Sequence, residues 1–416
     1  MRLADTVAAA LLARLPHDAG AAAIRRGPST LVGVDPDEVA VSNGADALRA
    51  LDSLAPGLWV GWCAYELGHA LERVVPRRAS LEEPAVPDAV FARFGALAWV
   101  GPTGEITVRG DGAGRRFLER AAHDVGVDGC GGNVRPASGE WRTSLDRDNF
   151  EARVEAIVEL LRAGECYQVN LTRRLTVDGA HDPVALYAAL ATRHPAPYTG
   201  MLRLPTSGLR VSGRSIAVVG ASPERFLSWS GREVETKPIK GTGTDAVLLR
   251  ASAKDHAENV MIVDLARNDL GRVCEPGSVR VPSLCEVEAH PGLHHLVSTV
   301  RGTVRPGVGT GSLVAATFPP ASITGAPKPR VLQAIEELEP VRRGVYCGAF
   351  GWLDTERGEG DLAVAIRTFT VFDDRTELGV GAGIVADSCP AAEWAETELK
   401  ASRLLSVAGA GELVPS

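Results

Sequence analysis

The sequence has few of the features that would take it outside ordinary globular proteins. Its seven cysteines in 416 residues are Cys63, Cys130, Cys166, Cys274, Cys285, Cys347 and Cys389. The number is odd, the spacings are wide and no C-x-x-C occurs, which argues against a disulfide framework or a structural zinc site. Reduced, mostly buried thiols are expected instead. No apolar run reaches the roughly 18–20 residues needed to span a bilayer, so no membrane partner is expected. No Lys/Arg cluster stands out, and 44 basic against 52 acidic residues give a net charge of −8. A nucleic-acid partner is therefore not expected. No fixed period marks a repeat architecture. The N-terminal MRLADTVAAALLARLP is briefly apolar, but Asp5 and Arg14 interrupt it and no small-x-small cleavage site follows. It reads as a short amphipathic helix rather than a signal peptide, which points to the cytoplasm.

Apolar residues make up 45% and charged residues 23% of the chain, enough for a packed core. The 45 glycines and 26 prolines predict many turns. Residues 1–138 carry scattered apolar runs. WVGWCAYELGHALE (59–72) reads as a strand or loop entering a helix, and FGALAWVGPTGEITVRG (94–110) as a hairpin. DGCGGNVRPASGE (128–140) has many breakers and no periodicity, and reads as a linker. Within 139–416 the pattern sharpens. DRDNFEARVEAIVELLRAG (146–164) predicts a helix with Phe150, Val154, Ile157, Val158 and Leu161 on one face, Asp146 as cap and Gly164 as stop. Strands are predicted over 167–177, as a pair over 214–229, and over 345–355, 361–373 and 377–387. Helices are predicted over 254–270, 328–340 and 390–409. Strands and helices come in runs, which argues for an α+β fold rather than a doubly wound parallel sheet.

Several residues carry potential chemistry. Asp255 and Glu258 share one helix face, as do Glu393 and Glu396. Such carboxylates either face solvent or converge on a hard cation such as Mg²⁺, which takes one or two carboxylates plus waters and substrate. Glu224, in SPERF, is either a general acid/base or a salt-bridge partner of Arg225. Lys240, in TKPIKGTGT, is either an exposed loop residue or a desolvated nucleophile. Gly379, Gly381 and Gly383 allow close approach of a ligand to one strand. Arg367, in an otherwise apolar strand, suits a bidentate carboxylate clamp. The P-loop and dinucleotide glycine motifs are absent. Together these features suggest a small, anionic, Mg²⁺-dependent substrate.

GECYQVNLTRR, SPERF, ETKPIKGT, SAKDHAENVMIVDLARNDLGRV, HHLVSTVRG, SITGAPKPR, YCGAFGW, IRTF, GAGIVADS and EWAETELK follow one another in order over about 146–408. This series resembles the chorismate-utilising enzymes, which include anthranilate, aminodeoxychorismate, isochorismate and salicylate synthases. The resemblance implies a two-lobed antiparallel β-sandwich with outer helices, like that of anthranilate synthase component I, with residues 1–138 contributing to the same core. It implies Mg²⁺ held by Glu258 and Glu396, with Asp255, Glu393 and Lys400 supporting them. Glu224 would be the acid/base. Tyr346, Arg367, Gly381, Gly383, His295, Thr324 and Gln168 would line the substrate pocket. Isochorismate synthases resemble one another in a water-activating lysine where this chain has Gln168. Anthranilate-type sequences read P-I-A-G-T where this chain reads P-I-K-G-T, and a lysine at 240 marks aminodeoxychorismate synthases. The implied reaction is amination of chorismate to 4-amino-4-deoxychorismate, a precursor of 4-aminobenzoate, for folate or a specialised metabolite. Ammonia would come from a separate glutamine amidotransferase subunit, since no G-x-C-x-G elbow is present. The rivals are anthranilate synthase component I and a non-catalytic binding homologue. Three features depart from the family pattern: a shortened segment after Lys240, Pro320-Ala321 before SITGAPK, and no evident early tryptophan-binding segment.

Overall fold

The computed structural model describes residues 3–76, 86–125, 140–205, 215–290 and 293–409. Two antiparallel sheets dominate. The first runs in the order Gly325–Ala326, Gln168–Asp178, Arg375–Ile384, Thr368–Phe372, Ile216–Ser222, Tyr198–Arg203, Ala21–Arg26, Ser29–Val34, Leu97–Val100, Ile106–Arg109. The second runs in the order Ile239–Gly243, Leu293–Thr303, Glu233–Lys237, Arg225–Ser230, Glu359–Val364, Ala349–Asp354, Leu58–Cys63, Ala89–Arg93, Glu38–Ser42. Strands from before residue 110 sit in both sheets. The observed architecture is the α+β sandwich expected from the sequence.

Alternation along the strands decides what lies between the sheets. Ala22, Ile24, Leu202, Leu204 and Val218 of the first sheet pack with Val60, Trp62, Phe350 and Trp352 of the second. Each large apolar side chain buried there contributes about 1.5–3 kcal/mol relative to exposure. The helix Arg147–Arg162 covers the far face of the first sheet, where Phe150, Val154 and Ile157 join one core with Val169, Leu171, Ala382 and Ile384. Its start is fixed by the Asp146 carboxylate, which accepts from Asn149 N at 2.9 Å. Because neighbouring residues alternate, Gln168, Gly381 and Gly383 must face the opposite way, toward the second sheet.

Two stretches depart from the sequence reading. The strands in 214–229 do not pair with each other: Ile216–Ser222 joins the first sheet and Arg225–Ser230 the second. The chain crosses between sheets at Pro223-Glu224. Likewise 361–373 is two strands, Glu359–Val364 in the second sheet and Thr368–Phe372 in the first. Arg367 therefore lies in the crossing rather than within a strand, with φ 53°. The apolar runs are buried on both sides of each crossing, so hydropathy alone shows no break. The crossings touch: Ala221 N donates to Arg367 O at 3.1 Å, and Val364 N to Glu224 O at 3.0 Å.

The proposed linker at 128–140 lies, apart from Glu140, outside the described residues, as does Cys130. Cys63, Cys166, Cys274 and Cys347 are buried free thiols, while Cys389 is exposed. No helix among the described residues is long and apolar enough to cross a membrane.

Candidate active site

The strand Arg375–Ile384 forms the floor of the site. The ladder to Thr368–Phe372 ends at Leu378, while the ladder to Gln168–Asp178 continues to Ile384. One backbone edge beyond Leu378 is thus outside the inner ladder. The absence of side chains at 379, 381 and 383 is filled from above. The Tyr346 ring lies on Gly379, where a Cβ would come within 2.2 Å of it. At the other end a Cβ on Gly383 would stand 3.1 Å from Gln168 Nε2 and 3.3 Å from Lys240 Nζ. Gly381 O accepts from Lys400 Nζ at 2.8 Å. The side chain of Gln168 is fully buried, and neither its Nε2 nor its Oε1 has a hydrogen-bond partner. An unpaired buried amide costs stability, and its free donor and acceptor suit a polar ligand.

Glu224 and Lys240 face each other electrostatically across this floor. Burial lifts the Glu224 carboxyl to about 7, against the opposing pull of the Ser322 hydroxyl and the Lys240 charge. Glu224 is thus partly protonated near neutrality, able to give or take a proton there. Its salt-bridge alternative fails, because Arg225 is taken by Asp361, at 3.0 and 2.8 Å, and by Glu235 at 2.6 Å. Lys240 retains some exposed surface, yet the protein around its ammonium displaces enough water to lower its pKa. The carboxylates of Glu258 and Glu224 resist that shift. Lys237, the other lysine of the motif, is tied to Glu288 at 2.8 Å.

Arg367 and His295 meet in one cavity of about 70 Å³, together with His194, Pro195, Pro223 and Leu293. Burial and the neighbouring Arg403 lower the Arg367 guanidinium to about 10. Its Nη1 stands 3.4 Å from His194 Nε2. Burial, with the charge of Arg367, lowers His194 to about 4, so it is neutral and leaves the guanidinium charge undiminished. His295 Nδ1 lies 2.9 Å from Thr242 Oγ1, two residues beyond Lys240. Thr324 is fully buried and donates to Pro320 O at 3.0 Å. Its carbonyl accepts from Asn170 N at 2.8 Å, which holds it beside the strand that carries Gln168.

The four carboxylates come from two helices, Ala253–Gly271 and Pro390–Val407. The Ser252 hydroxyl caps the first by accepting from Asp255 N at 3.2 Å. Glu258 senses Glu396: burial raises the Glu258 carboxyl, the charges of Lys240 and Lys254 oppose this, and Asp255 and Glu396 add to it. Glu396 pairs with Lys400 at 2.6 Å, and Ser388 Oγ donates to Glu393 at 2.6 Å. Among the described residues no three His, Cys, Asp or Glu side chains form a ready metal cage. Carboxylates from two helices whose charges oppose one another do fit a hard divalent cation whose remaining ligands are water and substrate.

The geometry therefore brings Gln168, Lys240, Gly381, Gly383, Tyr346 and Lys400 to one floor, Glu224 and Arg367 to adjoining crossings, and His295 to the Arg367 cavity. Sequence reasoning passed over His194, Ser322 and Thr242. The last two lie inside motifs already singled out, while a lone histidine carries no signal of its own.

The site thus combines a buried acid, a lysine and a cavity lined by Arg367, an arrangement that suits a small anionic ligand. Residues 14–406 match the profile of the family described as chorismate binding enzyme, and the chain belongs to that family. It is 42% identical over 275 residues to aminodeoxychorismate synthase component 1 of Klebsiella aerogenes, covering 64% of this chain and 59% of that one. It is 43% identical over 276 residues to anthranilate synthase component 1 of Streptomyces coelicolor, covering 64% of this chain and 52% of that one. The matches thus span little more than half of these relatives. Among solved structures it resembles anthranilate synthase component I of Streptococcus pneumoniae, with a TM-score of 0.76 and 26% identity over 91% of this chain and 92% of that one.

Proposed function

We propose that this chain aminates chorismate at C4 to give 4-amino-4-deoxychorismate. The observation that carries the reading is Lys240, whose Nζ hangs over Gly383 beside Gln168 and in the field of Glu224. The neutral Lys240 amine attacks C2 as the C4–O bond breaks, and Glu224 gives its proton to the leaving hydroxyl, which departs as water. Ammonia then adds at C4, the C2–N bond breaks, and the added nitrogen loses a proton to Glu224. Lysine and acid are both regenerated. Arg367 and Tyr346 hold the enolpyruvyl carboxylate, while His295, Thr324 and the backbone of Gly381 and Gly383 contact the ring and its carboxylate. Gln168 holds a hydroxyl rather than activating water, since an amide is no base.

Glu258 and Glu396 would hold Mg²⁺, with Asp255 and Glu393 supporting its waters and Lys400 bracing Glu396. Bound there, the ion offsets the charge of the ring carboxylate. Ammonia would be delivered by a separate glutamine amidotransferase, in the cytoplasm. The test is product identification from chorismate, Mg²⁺ and ammonium at alkaline pH. The purified chain should yield 4-amino-4-deoxychorismate with ammonium and nothing with glutamine alone. A fluorescent 2-aminobenzoate product would favour the second reading, anthranilate synthesis, which the Streptomyces coelicolor relative supports.

A further inference from the structure

The motif YE at 65–66 lies in the N-terminal third, far in sequence from every residue assigned to the pocket. In the fold it sits beneath it. The Glu66 carboxylate accepts from Arg343 N at 2.8 Å and from Gly344 N at 3.1 Å. Tyr65 N donates to Gly344 O at 2.8 Å, and the Arg343 guanidinium lies 4.4 Å from the Tyr65 ring centroid. These contacts fix the turn that leads, two residues on, to Tyr346.

The Arg343 side chain is 2% exposed, and all three of its nitrogens are used. Nε donates to Glu339 Oε2 at 2.9 Å, and Nη2 to Glu339 Oε1 at 2.7 Å. Nη2 also donates to Asn170 O at 2.7 Å, and Nη1 to Ile323 O at 3.0 Å. Glu339 Oε1 in turn accepts from Thr172 N at 2.8 Å. One buried ion pair thus holds three separate backbone segments: the strand bearing Gln168, the turn bearing Thr324 and the turn bearing Tyr346. A guanidinium has the fixed fork needed for such divergent contacts, which an ammonium lacks. Burial alone would not ask for this. A stabilising core here is more cheaply built from apolar residues, and a buried pair is better explained by what it orients.

We propose that Arg343 and Glu339, seated on Glu66, are positioning residues that set Gln168, Thr324 and Tyr346 relative to one another. The N-terminal region thereby acts on a pocket it does not line. The inference rests on the assignment of those three residues to the substrate, and its test separates the two claims.

The full-length chain is compared with Arg343→Lys, Glu66→Leu and Glu66→Gln by amide hydrogen exchange and by kinetics with chorismate, Mg²⁺ and ammonium. The folded fraction is measured alongside. Arg343→Lys should speed exchange at least about tenfold in 168–172, 322–326 and 343–346 together, because one fork spans all three. It should also lower kcat/KM for chorismate by about 10–100-fold per folded site. Glu66→Leu should loosen 343–346 and lower kcat/KM, and Glu66→Gln, which keeps a carbonyl acceptor, should restore most of both. Faster exchange confined to the mutated segment, or kcat/KM within twofold of wild type in Arg343→Lys and Glu66→Leu, would overturn the proposal. If Arg343→Lys does not fold, the Leu/Gln pair at 66 decides it. If the wild type does not consume chorismate, the proposed reaction falls, while exchange across the three segments still decides the clamp.

Discussion

Replacing Gly383 by alanine probes the site floor with a single methyl. The new Cβ would stand 3.1 Å from Gln168 Nε2 and 3.3 Å from Lys240 Nζ, a few tenths of an ångström inside ordinary contact. Both neighbours are ends of flexible side chains, so the fold can yield. Overpacking of about 1 kcal/mol or less is partly offset by about 0.4–1 kcal/mol from the lost glycine freedom in the unfolded chain. The melting temperature should therefore move by only a few degrees. Activity should not be spared. The methyl occupies space over the floor and displaces the lysine from its line of attack, and a misplacement approaching 1 Å can cost about 100-fold. Gly379→Ala provides the contrast. Its Cβ would fall within 2.2 Å of the Tyr346 ring, a rigid body that must move as a whole. That variant should lose about 1–3 kcal/mol of stability as well as activity. Thermal melts with chorismate-consumption kinetics separate the cases. Wild-type kcat/KM in Gly383→Ala would refute the placement of Lys240 and Gln168 over this strand as the reacting geometry.

Other outcomes follow from the same site. Lys240→Ala should leave acid and pocket intact while residual product shifts from 4-amino toward 2-amino chemistry; chromatography decides, and unchanged product at wild-type rate would remove the nucleophile. Glu258→Gln or Glu396→Gln should weaken Mg²⁺-dependent chorismate binding and lower the rate by orders of magnitude, whereas Asp255 and Glu393 variants should cost about 10–100-fold; titration of Mg²⁺ against rate reads both. At constant free ammonia, kcat/KM should rise with pH as Lys240 loses its proton and level off above about 7, where the Glu224 carboxyl, raised by burial, loses the proton it must donate. Glu224→Gln should lack that levelling and most of the activity.

Much of this was legible in the sequence where the signal is local. Asp146 opens its helix and Gly164, at φ +75°, follows its end, as the capping pattern predicts. The carboxylate pairs at 255/258 and 393/396 fall on helices for the same reason. Sheet membership was not legible. Ile216–Ser222 is buried throughout, and in Arg225–Ser230 the buried residues are Phe226, Leu227 and Trp229, which do not strictly alternate. Period-two alternation therefore says nothing of which sheet each joins. Arg343 was hidden differently. In VRRG it looks like any surface arginine, and only long-range contacts to 66, 170 and 323 show that it is buried.

The two adjoining crossings have a mechanical consequence. Glu224 and Arg367 are each bonded, through a few residues of backbone, to both halves of the sandwich at once. Ile239–Gly243, by contrast, prolongs Glu233–Lys237 along the same side of Leu293–Thr303 and is laddered to that strand alone. Glu224 and Arg367 thus have a ladder on either hand, and the strand carrying Lys240 has one.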